Sequence, residues 1–140
     1  MLIQNEIKSR SIELSVLESA LDHYPSFRIQ IHLITEEFEG NFDRNIWISE
    51  ADVESFINGL QKLDESRNGQ ETLNSMSPGE FHLGFKNIDK LGHLAVVLHI
   101  KKESSVDHTY HDDLKIEFEI DPTSLPKIIN QLSQLITHKQ

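Results

Sequence analysis

The sequence predicts an α+β domain: a mainly antiparallel sheet of about six strands with two amphipathic helices packed on one face. Three observations carry this. Six short segments alternate apolar and polar residues, two longer segments carry an apolar stripe at helical spacing, and strands and helices do not alternate as they would in a doubly wound parallel sheet. With 140 residues, 37% of them hydrophobic and 26% charged, the chain has the length and composition of one core and reads as a single domain over residues 1–140.

The first strand is marked by Ile12, Leu14 and Val16, set against Glu13 and Ser15. After Tyr24-Pro25 the pattern returns more strongly, with Phe27, Ile29, Ile31 and Leu33 facing one way and Arg28, Gln30 and His32 the other. The apolar phase slips by one residue between Ile34 and Phe38, which requires a bulge or a bend, and Gly40-Asn41 is expected to make a tight hairpin turn. The return strand runs from Phe42 to Ile48, with Trp47 between two isoleucines and therefore covered on both faces. Ser49 is the expected N-cap of the first helix, because Asp52 follows three residues later and Glu50 and Asp52 suit the positive end of the helix dipole. Its stripe is Val53, Phe56, Ile57, Leu60 and Leu63. Asp64 to Gln70 reads as a polar loop, with Leu73 and Met76 anchoring a short turn ahead of Pro78-Gly79. Three further strands follow: Phe81 to Phe85, Leu94 to Ile100 and Leu114 to Ile120. Between them Asn87 to Gly92 fits a hairpin loop and Glu103 to Asp113 a longer polar excursion. The last helix opens at Thr123 or Ser124, takes Pro126 in its first turn and buries Leu125, Ile128, Ile129, Leu132, Leu135 and Ile136.

Thirteen Lys and Arg against 23 Asp and Glu give a formal charge of -10. That field repels phosphate backbones and anionic lipid headgroups, so neither nucleic acid nor membrane is an expected partner, whereas a basic protein surface is. There is no Cys, which removes disulfides, thiol nucleophiles and thiolate metal sites and suits a reducing compartment. Met1 to Glu6 has no basic region followed by a long apolar run, and no stretch approaches the roughly 18 apolar residues of a membrane span. The expected location is the cytoplasm.

Chemistry-bearing residues are few. His108-Thr109-Tyr110-His111-Asp112-Asp113 puts two imidazoles and two carboxylates together on a loop, but a zinc site needs three or four ligands on rigid supports, so a solvated loop is the expectation and no metal or other cofactor is assigned. His93 and His99 share a strand face that His82 can join. Lys101, Lys115, Glu117 and Glu119 lie on the same side, which makes this a polar surface rather than an acid-base centre. No Gly-x-Ser-x-Gly elbow and no phosphate-binding Gly loop is present, and adjacent carboxylates such as Glu36-Glu37 are ordinary solvated pairs. The chain does not read as an enzyme.

The order Trp47-x-Ser49-x-x-Asp52-x-x-x-Phe56-x-x-x-Leu60-x-x-Leu63, then Gly92-His93-Leu94, then Leu114-x-Ile116-x-Phe118-x-Ile120-Asp121-Pro122-Thr123-x-Leu125, resembles the WapI-family immunity proteins of bacterial polymorphic toxin systems. The resemblance spans roughly residues 27 to 136, and its motifs are structural, so no site residue carries over from the family. It implies a non-catalytic cytoplasmic immunity protein that binds and neutralises a cognate toxin domain, a nuclease with a basic cleft being the expected target. On that reading the acidic loop and strand-end residues Glu36, Glu37, Glu39, Asp43, Asp107, Asp112 and Asp113 are the candidate toxin contacts, and no catalytic residue is assigned. The alternatives are an acidic interaction or accessory domain with no toxin partner, and a metal-binding enzyme using the His108-Asp113 loop.

Overall fold

The structure, a computed structural model, describes residues 1–103 and 111–137. Among them the chain is α+β, with eight strands in two four-stranded antiparallel sheets and two α-helices. The first sheet is β1 (Leu2–Gln4), β2 (Ser11–Ala20), β3 (Ser26–Ile34) and β4 (Glu39–Ser49), in that order. Helix α1 (Glu50–Ser66) leads to the second sheet, β5 (Gln70–Asn74), β6 (Phe81–Asn87), β7 (Leu94–Glu103) and β8 (His111–Ile120), again in sequence order, and α2 (Leu125–Thr137) follows. Two strands are added to the expected six. β1 is too short to show an alternation, and Leu73, expected in a turn, is the buried residue of β5.

The alternation sorts as expected. Ile12, Leu14, Phe27, Ile29, Ile31 and Leu33 of the first sheet are buried, as are Phe81, Leu83, Phe85, Val96, Leu98 and Ile116 of the second. They join the stripes of both helices in one continuous core. Among the described residues no helix is long and apolar enough to cross a membrane.

Both helix starts follow from their caps. Ser49 ends β4 in extended geometry (φ -76, ψ 147) and its hydroxyl accepts from the Asp52 N–H at 3.0 Å. At the other end the helix runs three residues past Leu63, into the expected loop, and stops where Arg67 turns left-handed (φ 56) and donates its N–H to the Leu63 carbonyl. The second helix is preceded by a single 3-10 turn, Pro122–Ser124, capped by the Asp121 carboxylate on the Thr123 N–H at 3.0 Å.

The β3–β4 hairpin corrects the sequence reading. Its turn is not Gly40-Asn41, which lie inside β4 opposite Leu33 and His32. The chain reverses at Thr35–Phe38 instead, because the Thr35 hydroxyl accepts from the Glu37 and Phe38 N–H groups at 3.1 Å each and the Thr35 N–H donates to the Phe38 carbonyl at 2.9 Å. The phase slip read at Ile34–Phe38 is this turn. The bulges sit elsewhere: Leu17 is an extra residue of β2, and the register between β3 and β4 jumps across Asp43–Asn45, where Asn45 has φ 53. Trp47 is half-buried opposite Arg28, not covered on both faces.

Candidate binding surface

The β1–β2 loop is tied by its own polar groups. Asn5 Nδ2 donates to Ser9 Oγ at 2.8 Å, Asn5 Oδ1 accepts from the Arg10 N–H at 2.9 Å, and Lys8 takes the left-handed corner with φ 60. Arg10, held at the loop's end, bridges the two sheets. Its Nε donates to both Glu36 oxygens at 2.9 and 3.0 Å, and its Nη1 reaches the Glu117 carbonyl of β8 at 3.4 Å. Beside this bridge lies an open groove of about 640 Å³, with Asn5, Glu6 and Ile7 on one wall and the Glu117–Ile120 segment of β8, running into Asp121 and Pro122, on the other.

The groove is acidic. Glu6, Glu117, Glu119 and Asp121 line it against Arg10 and His93. The hydrogen bond from Lys86, 2.8 Å from Glu117 Oε1, holds the Glu117 carboxyl below the ordinary range. The Thr123 N–H does the same for Asp121, and the Arg10 hydrogen bond for Glu36. These three carboxylates are therefore charged at neutral pH. His93 is pushed the other way, its pKa raised by the hydrogen bond and charge of Asp89 and further by Glu119.

Of the predicted contact residues, Glu36, Glu37 and Glu39 come together at the β3–β4 turn, and all three are exposed. Glu36 is engaged by Arg10, and Glu39 lies 3.4 Å from Nε2 of His32, whose pKa is raised by a 2.7 Å hydrogen bond to Asn41 and by Glu39. Asp43 sits apart, in the β4 bulge, its carbonyl accepting from Arg28 Nη1 at 3.3 Å. Asp112 and Asp113 are not loop residues: they belong to β8, opposite Lys102 and Lys101, because the β7–β8 ladder extends beyond its apolar residues. Asp113 also lies 2.5 Å from His99 Nε2. Asp107, together with His108, Thr109 and Tyr110, lies outside the described residues.

The histidines divide. His82 and His99 face each other across the β6–β7 ladder, and the pKa of His82 is lowered by partial burial and by its neighbours His99 and Lys115. His93 does not join them, since it precedes β7 and is held by Asp89 in the β6–β7 loop. Among the described residues no three His, Asp or Glu side chains gather as a metal-binding group.

A protein-family model described as the immunity protein WapI-like family matches residues 1–139. The chain belongs to the WapI-like immunity protein family. The match includes the N-terminal residues that the motif resemblance left out, and with them β1, β2 and the loop that builds one wall of the groove. No curated protein and no solved structure matches the chain.

For a WapI-like chain the groove is the part of the surface that sequence reasoning missed. Alternation puts Glu117 and Glu119 on the outer face of a strand, and both are exposed. It carries no sign that this strand ends its sheet, nor that Arg10, distant in sequence, lies against it.

Proposed function

We propose that this protein neutralises a cognate toxin domain in the cytoplasm by binding it, without catalysis, through the acidic surface that runs from the β3–β4 turn into the groove beside β8. The observation that carries this reading is the Arg10 bridge, whose guanidinium holds the Glu36 carboxylate at the turn and the Glu117 main-chain carbonyl at the groove and so sets the two acidic regions side by side. Such a surface competes for a basic cleft that would otherwise hold nucleic acid, so the proposed target is a nuclease. Glu37, Glu39 and Asp43 contribute to the field that steers encounter, Asp112 and Asp113 are proposed as contacts at the opposite end of β8, and Asp107, outside the described residues, is proposed as a contact on its charge alone. The net charge of -10 favours fast, salt-dependent association with such a cleft.

The test is co-expression and purification with the toxin domain encoded beside this gene, followed by nuclease assays with and without the present chain. A stable complex with loss of toxin activity is expected. In stopped-flow mixing, Glu37→Lys with Glu39→Lys should slow association and flatten its salt dependence. Rates equal to wild type at low salt would remove electrostatic steering from the proposal, and absence of a complex would remove the proposal itself.

A further inference from the structure

We propose that the outer edge of β8 receives an extended, lysine- or arginine-bearing segment of the toxin polypeptide as a fifth strand of the second sheet. This deepens the toxin-binding reading and rests on it.

Four strands end the two sheets, and three of them are poor templates. β1 has three residues and β5 five. β4 has eleven, but its register is broken at Asp43–Asn45 and its Trp47 carbonyl is taken by the Met76 N–H at 2.8 Å. β8 is different. It pairs with β7 over all ten residues with no register shift, and among the described residues no strand pairs with its other side.

The direction of its backbone groups follows from the ladder. In β7 the Lys101 N–H donates to the Glu80 carbonyl at 2.9 Å, on the β6 side. Main-chain groups alternate sides along a strand, so Val96, Leu98 and Ile100 turn theirs toward β8, where Phe118, Ile116 and Leu114 meet them. Lys115, Glu117 and Glu119 therefore present N–H and C=O to the open side. The Arg10 guanidinium, 3.4 Å from the Glu117 carbonyl, confirms that this carbonyl points outward, and an added strand takes it once this long contact yields and Arg10 stays on Glu36 alone.

The chemistry of the occupant follows from the side chains. Lys115, Glu117 and Glu119 stand on the outer face and Glu117 already shares Lys86 at 2.8 Å, so a basic residue of an added strand gains most beside Glu119, then beside Glu117, and gains nothing beside Lys115. The residues between would face the groove and Ile7, which is 81% exposed on its far wall. The segment that fits alternates basic and apolar residues. A second copy of this chain is the competing occupant, because antiparallel β8 on β8 centred on Glu117 sets Lys115 opposite Glu119 twice while bringing the two Glu117 side chains together, and the test separates the two.

The test uses the full chain and an acetylated, amidated Lys-Val-Lys-Val-Lys-Val peptide, read by backbone amide hydrogen exchange in NMR. Near saturation the Lys115, Glu117 and Glu119 amides should exchange about tenfold more slowly, with smaller changes at Ile116 and Phe118, whose amides already face β7. Glu119→Pro removes one outward N–H at a position where an edge strand tolerates proline, and should weaken binding about tenfold beyond the effect of Glu119→Gln. A peptide of the same charge, N-methylated on the residues that face β8, leaves the protein untouched and should fail to bind. Equal binding of the methylated peptide, no binding of the parent peptide, or protection produced by self-association alone would each overturn strand addition. Capture of the toxin with these amides still unprotected would also overturn it while leaving the toxin-binding reading intact; peptide addition by a chain that captures no toxin would support strand addition and sink that reading.

Discussion

Ser49→Ala is the sharpest probe of how this sequence couples its first sheet to its first helix. The residue closes β4 opposite Ser26 and caps α1, its hydroxyl accepting from the Asp52 N–H at 3.0 Å. Loss of a Ser cap costs about 0.5–2 kcal/mol in general. Ser49 is only 1% exposed, so the substitution removes a buried hydroxyl together with the cap, and the upper half of that range, about 1–2 kcal/mol, is expected. For a domain of this size that lowers Tm by about 3–7 °C. Urea unfolding followed by far-UV circular dichroism should show a lower midpoint with an unchanged m-value, since the surface exposed on unfolding is the same. Ser49→Thr keeps the acceptor oxygen and should recover most of the loss. An alanine variant within about 0.3 kcal/mol of wild type would refute the reasoning, since a lost buried acceptor should cost more. A threonine variant no better than alanine would shift the cause from the hydrogen bond to packing.

Two further outcomes follow from buried and exposed polar contacts. Ser75 Oγ accepts from the buried Phe81 N–H at 3.1 Å and donates to the Ser77 carbonyl at 2.6 Å, so Ser75→Ala should destabilise by about 1–3 kcal/mol in the same urea assay. A neutral result would mean that the β5–β6 turn rearranges to satisfy Phe81. Asp89 raises the His93 pKa above its ordinary value of 6.5, so this pair's contribution to stability is complete below the unfolded pKa and fades as pH rises through the folded one. Asp89→Asn should return the His93 midpoint, read by imidazole NMR, toward 6.5, while the same position still accepts from the Leu91 and His93 N–H groups. An unmoved midpoint would assign the shift to Glu119 instead.

The sequence by itself determined the α+β class, the inward residues of five of the six longer strands (β4 reads as covered on both faces), both helix stripes and the Ser49 cap, because each is written in spacings of two to four residues. Thr35 shows the limit of that reading: a hydroxyl accepting from two amides made the turn, while the more obvious Gly40-Asn41 stayed extended. Asp112 and Asp113 show it again, since polar residues continue a ladder whenever the partner strand does. Only the tertiary structure decided that β8 ends a sheet, that Arg10 crosses to it, and that Glu6, Glu117, Glu119 and Asp121 share one groove. The physical reason is range. Alternation depends on neighbours along the chain, whereas an unpaired strand edge and the carboxylates around it depend on which distant segments pair and which do not.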